Sequence, residues 1–186
     1  MQLTSFHGGF TLEAVEEVVD LSDHPGAPWI PFVVESLMEK SLIRIDPPTD
    51  LPGMVRFDMF ATIRDFARAR LPDSVQAAQA RHARYWASFS TPERSKELGL
   101  PGSIQRIRTL QVELDNLQAA IAWGLEAQET STTVGACVSA SEPLLSCAPA
   151  RLSHWLQRGL ALDDLSDEDR VSLFKILGQT LERRGN

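Results

Sequence analysis

The residues best suited to chemistry in this sequence are four histidines, two cysteines and a His-Gly-Gly turn. His7-Gly8-Gly9 has the composition of an esterase oxyanion loop, whose backbone N–H groups stabilise a developing negative charge. That chemistry requires a nucleophilic serine, and no G-x-S-x-G motif follows in the sequence. The two glycines therefore predict a tight turn before the first helix. Because no nucleophile–base pair and no carboxylate pair stands out, we expect no enzyme.

The histidines and cysteines do not have the spacing of a metal site either. His24, His82 and His154 lack the short separations that zinc ligands share. His82 falls on the apolar face of a predicted helix, which is typical of a core histidine. Cys137 and Cys147 lie in one segment and fit neither a disulfide framework nor a zinc site, so we expect packing thiols. We assign no metal and no cofactor to this chain.

Four arginines form the basic cluster of the sequence: Arg56, Arg64, Arg68 and Arg70. They lie in the stretch from Met54 to Leu71, which joins two helix-rich halves. A solvated helix face is the simpler interpretation of this cluster. The more specific interpretation is a set of ion pairs with another domain or with a partner protein, and both stay open as hypotheses.

The stretch from Met54 to Leu71 also predicts a strand that continues into a helix. It opens with strict alternation, and one face of the strand carries Val55, Phe57 and Met59. Apolar residues then recur at three- and four-residue steps, as on one face of a helix: Phe60, Ile63, Ala67 and Leu71. We expect the joint between the two elements to be held in the core by Phe57, Phe60, Ile63 and Phe66.

Upstream of this stretch the pattern is helix, helix, strand and stiff turn. The first helix begins after Thr11, a good N-cap, and the second carries Pro28 or Pro31 in its first turn. Residues 41–46 alternate again as a strand. Helix, helix, strand, turn, strand is the order of a winged-helix module, which we predict to occupy residues 1–72. The predicted fold class is mainly α with one β-hairpin.

From residue 73 to 186 the sequence predicts antiparallel helical hairpins and no strand. Residues 130–150 are apolar enough for a helix, which Pro143 and Pro149 must kink or end. Ser166 caps the last helix, whose inward face we predict to carry Phe174, Leu177 and Leu181. One side of that apolar stripe has no predicted neighbour in this chain, so it would have to pack on a partner. We therefore expect self-association through the last helix, or fraying of it.

The charge balance argues against nucleic acid and membranes as partners. The formal net charge is −7, and residues 1–70 contain 6 basic and 11 acidic side chains, a net charge of −5. Binding in a DNA groove requires the opposite sign. The sequence has no apolar run of about 18 residues to cross a bilayer. Its N-terminus lacks the basic region and apolar core of a signal peptide, so we expect a cytoplasmic protein.

Two sets of motifs resemble known families. Residues 177–186, L-G-Q-T-L-E-R-R-G-N, resemble the first helix of a tetratricopeptide repeat, and residues 154–162, H-W-L-Q-R-G-L-A-L, resemble the second helix of the repeat before it. A longer series resembles the region downstream of the nucleotide-binding domain in bacterial signal-transducing ATPases of the NB-ARC type (STAND). Its motifs are F-H-G-G-F-T-L-E-A-V-E-E-V, S-L-M-E-K-S-L-I-R-I, F-A-T-I-R-D-F-A-R-A-R-L, R-H-A-R-Y-W and E-L-D-N-L-Q-A-A-I-A-W.

The resemblance implies a winged helix followed by tetratricopeptide-like helices over residues 73–186, with the last repeat truncated. It also implies a non-catalytic regulatory and protein-interaction module, often of a transcriptional regulator. Its partner would be its own upstream nucleotide-binding domain or a signalling protein. The chain has no G-x-x-x-x-G-K-[ST] motif, so ATP or ADP would bind only through that upstream domain. Phe60 aligns with a phosphate-contacting histidine of plant relatives and is expected in the core instead.

The alternative function is a DNA-binding winged-helix transcription regulator with a helical extension. Residues 29–40 would then form the recognition helix. That helix carries Lys40 against Glu35 and Glu39, a charge balance that disfavours contact with phosphates.

Overall fold

The computed structural model describes residues 2–70, 72–99 and 103–185. Leu71 and Asn186, the final residues of two of the predicted stretches, lie outside the described residues. The architecture is mainly α with a two-stranded antiparallel sheet, which confirms the predicted fold class. The chain divides into two compact units, Met1–Tyr85 and Trp86–Asn186.

The first unit contains the elements predicted for it, in the predicted order. They are a 3₁₀ turn (Gln2–Ser5), α1 (Leu12–Val18), α2 (Ile30–Glu39), β1 (Ile43–Ile45), β2 (Phe57–Met59), α3 (Ala61–Arg68) and most of α4 (Pro72–Ser88). Thr11 caps α1, because its side-chain oxygen accepts a 3.2 Å hydrogen bond from the N–H of Ala14. Pro31 occupies the first turn of α2, where the missing N–H costs no helical bond. These local signals place the helix starts as predicted.

The segment that precedes α1 pairs with the outer edge of the β1–β2 hairpin. In the register of β1 and β2, Ile43 lies opposite Met59 and Ile45 lies opposite Phe57. Phe10 pairs with Phe57 on the other side of β2, through backbone hydrogen bonds of 2.9 and 2.8 Å. Gly9 turns the chain into this bridge with a φ of +90°, and a Cβ there would lie 2.9 Å from the carbonyl oxygen of Phe57. A glycine is therefore required at this position.

Two aromatic residues predicted to join strand and helix in the core are exposed instead. Phe57 and Met59 are buried as predicted, but Phe60 and Phe66 face solvent. The reason is that α3 packs on the 3₁₀ turn and turns Ala67 inward. The two outer rings are covered in part by guanidinium groups, that of Arg44 over Phe60 at 5.3 Å and that of Arg70 over Phe66 at 4.0 Å.

The second unit is built around one helix of small side chains. Its elements are the end of α4, then α5 (Pro92–Glu97), α6 (Ile104–Val112), α7 (Leu114–Ala127), α8 (Thr130–Cys147), α9 (Pro149–Leu160) and α10 (Asp167–Gly185). Helix α8 packs against α6, α7, α9 and α10. Its buried residues are mostly small, among them Thr133, Gly135, Ala136 and Ala140. Small side chains let four neighbouring helices approach one central helix.

Two glycines mark the closest approaches to α8. A Cβ added at Gly124 of α7 would lie 2.6 Å from the Thr133 hydroxyl and 3.1 Å from the Thr133 backbone nitrogen. A Cβ added at Gly135 would lie 2.8 Å from the carbonyl oxygen of Ala87. At Gly135 the clash is with a backbone atom, and at Gly124 it is with a short side chain whose backbone atoms lie close behind, at 3.1 and 3.2 Å. The spacing of these helices therefore depends on the missing side chains.

Of the two prolines predicted to kink or end a helix over residues 130–150, Pro149 follows its end as predicted. Pro149 does begin a new helix, because it lies in the first turn of α9. Pro143 does not end α8, which continues to Cys147. An internal proline removes one N–H bond, here to the carbonyl of Ser139, and the helix continues because its neighbours pack on it from several sides.

The last helix begins as predicted but turns a different face inward. The Ser166 hydroxyl accepts a 3.1 Å bond from the N–H of Asp169 and donates to its carboxylate. Phe174 and Leu181, predicted inward, are 55% and 51% exposed, and Leu177 is half-buried. The inward positions are taken by Leu173, Ile176 and Thr180. The helix has two apolar stripes, and α8 and α9 cover the other one.

The close contact at Gly124 predicts opposite effects for two glycine-to-alanine changes. Gly124→Ala should lower the free energy of unfolding by about 1–3 kcal/mol, because the new methyl group must displace the Thr133 backbone. Gly178→Ala in α10 is the control, since a Cβ there meets nothing within 4 Å. It should raise stability by up to about 1 kcal/mol through helix propensity alone. Urea unfolding followed by circular dichroism measures both, and equal midpoints would contradict the close approach of α7 and α8.

Candidate interaction surfaces

Two of the four clustered arginines point into their own unit. Arg56 is only 3% exposed, and its Nη2 donates a 2.6 Å hydrogen bond to the carbonyl of Gly8. Arg68 donates from Nε and Nη2 to the carbonyl of Thr4, at 3.1 and 2.6 Å. Both residues therefore satisfy backbone acceptors upstream of α1, Arg68 in the 3₁₀ turn and Arg56 in the irregular segment that follows it.

His7 completes the contact of Arg68. Its Nε2 lies 3.2 Å from Nη2 of Arg68, and its Nδ1 lies 3.0 Å from the carbonyl oxygen of Ser5. A carbonyl oxygen can only accept a hydrogen bond and a guanidinium can only donate one. Nδ1 of His7 therefore donates to Ser5, and Nε2 accepts from the guanidinium. Burial, and then the nearby Arg64, lower the pKa of the Arg68 guanidinium. The His-Gly-Gly segment therefore has a structural role here, as the acceptor side of this cluster.

The other two arginines differ in exposure. Arg64 lies 3.1 Å from the carboxylate of Asp58 and 3.3 Å from the carbonyl oxygen of Met59. Arg70 is exposed and lies over the ring of Phe66. Three of the four predicted partner residues are thus engaged inside the first unit. Their predicted contact with another domain or partner stays a prediction, and Arg70 is the member most open to such a contact.

The outward side of α2 combines aromatic and acidic side chains. Trp29, at the N-cap position, is 68% exposed and Phe32 is 58% exposed, with ring centroids 6.1 Å apart in an edge-to-face arrangement. Glu35 and Glu39 follow on the same side and are also exposed. We call these four residues the α2 face. Sequence periodicity missed it, although two large aromatics at three-residue spacing beside Glu35 and Glu39 were a usable signal.

The outward side of α10 is apolar. Val171, Phe174 and Leu181 are exposed, and Gly178 lies between them at helical spacing. We call these four residues the α10 stripe. It contains two of the three C-terminal residues predicted to meet a partner, while Leu177 lies at its edge.

A partly buried ion pair in the second unit was not visible in the sequence. Arg106 of α6 donates from Nε to the carboxylate of Glu142 in α8 at 2.7 Å. Its Nη1 donates to the carbonyl and hydroxyl oxygens of Ser95. These bonds tie α5 and α6 to the central helix. Both charges are engaged in structure, so they offer no free acid or base for catalysis.

Of the remaining residues with reactive side chains, Cys137 and His82 lie in the core, whereas His24, His154 and Cys147 are exposed. Burial raises the pKa of Cys137 to about 12, so its thiol stays protonated and unreactive at neutral pH. Cys147 is exposed, which differs from its predicted packing role. His82 is buried edge-on against Phe6 at 5.2 Å, as expected of a core histidine. Within the described ranges, no three His, Cys, Asp or Glu side chains come together as metal ligands, and no helix is long and apolar enough to span a bilayer.

Comparison with curated proteins finds mycobacterial relatives. One protein of Mycobacterium bovis and one from each of two strains of Mycobacterium tuberculosis are 35% identical to this chain over 134 residues. Their names assign them, provisionally, as HTH-type transcriptional regulators. This chain is similar to part of a transcriptional regulator.

The similarity has a limited span. The matched region covers 67% of this chain and 14% of each relative, so the chain spans about a seventh of their length. The sequence matches no protein-family model. No solved structure matches it.

The inward arginines predict unequal effects of two methionine substitutions. Arg56→Met leaves the Gly8 carbonyl without its guanidinium donor and should lower the free energy of unfolding by about 1–3 kcal/mol. Arg70→Met is the control and should cost less than about 1 kcal/mol, the value of an exposed contact with a ring. Thermal and urea unfolding of both variants measure the difference. Equal losses would argue against a structural role for Arg56.

The α10 stripe predicts self-association of the chain. The double variant Phe174→Ser/Leu181→Ser should remain monomeric at concentrations where the original chain associates, because it removes the exposed apolar surface. Ile104→Ser changes an even more exposed apolar residue on α6 and should associate as the original does. Sedimentation velocity over a concentration series distinguishes them. A monomer at every concentration, with α10 fully protected from hydrogen exchange, would contradict the prediction.

Proposed function

We propose that this chain is a non-catalytic, protein-binding part of a transcriptional regulator. The mycobacterial relatives support the assignment of the whole protein as a transcriptional regulator. Their names favour a DNA-binding regulator over a nucleotide-dependent switch. Because those relatives are about seven times longer than the matched region, their DNA-binding element has ample room outside it. We assign protein contact, and not DNA contact, to the region that this chain represents.

The observation that carries this assignment is the direction of the charged side chains in the first unit. A winged helix that reads DNA presents cations to the phosphates on both sides of its recognition helix. Here Arg56 and Arg68 donate to backbone carbonyls and Arg64 pairs with Asp58. The helix in the recognition position, α2, presents the α2 face instead, with two aromatic rings and two carboxylates.

The cofactor and cellular context form part of the same proposal. The chain itself is assigned no cofactor, and ATP or ADP would act only through a nucleotide-binding domain elsewhere in the regulator. That domain, and tetratricopeptide-type packing of the helices over residues 73–186, are implied by the resemblance of the motifs and stay predictions. A regulator of transcription acts where the bacterial chromosome is, so we propose a cytoplasmic location.

A second candidate function is a DNA-binding winged helix with a helical extension. The names of the relatives favour it. Within residues 2–70 the exposed cations available to it are Lys40, Arg44 and Arg70. Lys40 donates to the hydroxyl of Ser36, and Arg44 lies 3.5 Å from the carboxylate of Asp58. Those partners compete with phosphate for the same charges, which is why this candidate ranks second.

A gel-shift experiment at low salt separates the two candidates. The 186-residue chain is incubated with fluorescent duplexes covering genomic promoter fragments, with and without excess non-specific competitor. We expect no shift that survives the competitor, because the first unit faces the duplex with carboxylates. A shift that survives, and that Lys40→Ala/Arg44→Ala abolishes, would establish the DNA-binding candidate and overturn the proposal.

A further inference from the structure

The aromatic half of the α2 face is not explained by the packing of this chain. Trp29 and Phe32 contact each other edge to face, yet both keep more than half of their surface in water. The inward side of the same helix is provided by Val34, which is buried. Two large rings on the outer side therefore add nothing to the core. They offer apolar area that only a contact from outside can remove from water.

The acidic half of the α2 face is unfavourable for the helix itself. Glu35 and Glu39 lie one turn apart, and like charges at that spacing repel. They also occupy the C-terminal half of the helix, where the helix dipole disfavours negative charge. In the described part of the chain neither carboxylate has an ion-pair partner, and the adjacent Lys40 donates to Ser36 instead. A positive charge supplied by a partner would reduce both the repulsion between the two carboxylates and their unfavourable interaction with the helix dipole.

We infer that the α2 face binds a basic, amphipathic segment of a partner protein. Its apolar side chains would cover Trp29 and Phe32, and its lysine or arginine side chains would pair with Glu35 and Glu39. This inference rests on the proposed protein-binding function and specifies the chemistry of the partner. A second copy of this chain fits less well, because α2 against α2 brings four carboxylates together.

The test uses two synthetic helical peptides that differ only in charge. Each has about 15 residues, enough to lie along the roughly 15 Å of α2, with a leucine stripe flanked by lysines in one peptide and by glutamates in the other. Fluorescence anisotropy measures their binding to the 186-residue chain. The lysine peptide should bind more tightly than the glutamate peptide. Trp29→Ala/Phe32→Ala should weaken the lysine peptide about tenfold, the loss expected of one or two apolar anchors.

Charge reversal tests the carboxylates directly. Glu35→Lys/Glu39→Lys should weaken the lysine peptide about tenfold and strengthen the glutamate peptide by a similar factor. Glu16→Lys/Glu17→Lys on the exposed side of α1 makes the same change in net charge and is the matched control. It should leave the preference for the lysine peptide unchanged. Melting curves of all variants show that each is folded before binding is compared.

Several outcomes would overturn the inference. Equal loss of lysine-peptide binding in both charge-reversed variants would mean that general acidity, and not the α2 face, attracts the peptide. Self-association abolished by Trp29→Ala/Phe32→Ala would assign the face to a second copy. Failure of peptide binding without any DNA shift overturns only this inference, whereas a competitor-resistant DNA shift overturns the proposed function as well.

Discussion

Hydrogen bonds from arginine side chains to backbone carbonyls hold the first unit together. The segment from Thr4 to Gly9 is neither helix nor strand for most of its length, so its buried carbonyls need donors from elsewhere. Arg56 and Arg68 supply them across 48 and 64 residues of sequence. A guanidinium is well suited to this role, because its donors are rigid and its charge persists at every physiological pH. The position of the hairpin relative to the N-terminal segment depends on these bonds.

The same bonds decide what the first unit presents to partners. Of the six basic residues in residues 1–70, the three that are not exposed, Arg56, Arg64 and Arg68, bond within the unit, whereas Glu35 and Glu39 stay at the surface. The outward charge is therefore more acidic than the composition alone indicates. An acidic surface repels nucleic acid and attracts basic protein segments. The structural role of these arginines is thus one argument for the basic protein partner proposed above.

The second unit achieves its packing by different means. Helix α8 is covered on several sides because its side chains are small, and the glycines at positions 124 and 135 remove the Cβ atoms that would hold its neighbours away. The ion pair of Arg106 with Glu142 fixes α6 against it. Separating the pair would leave the buried Arg106 charge uncompensated, so this contact also favours one arrangement of the helices. Neither the small residues of α8 nor the ion pair depends on large aromatic side chains in the core.

The sequence by itself determined where several of the helices begin. Capping by Thr11 and Ser166, the proline in the first turn of α2 and the burial of His82 all follow from interactions within a few residues or from helical period. Only the tertiary structure decided which apolar stripe of a helix lies inside, as Phe60 and Phe174 show, because a helix with two such stripes is oriented by its neighbours. It also decided the role of the arginines and the existence of the α2 face. Periodicity carries no information about a carbonyl that lies more than 40 residues away in sequence and within hydrogen-bonding distance in space.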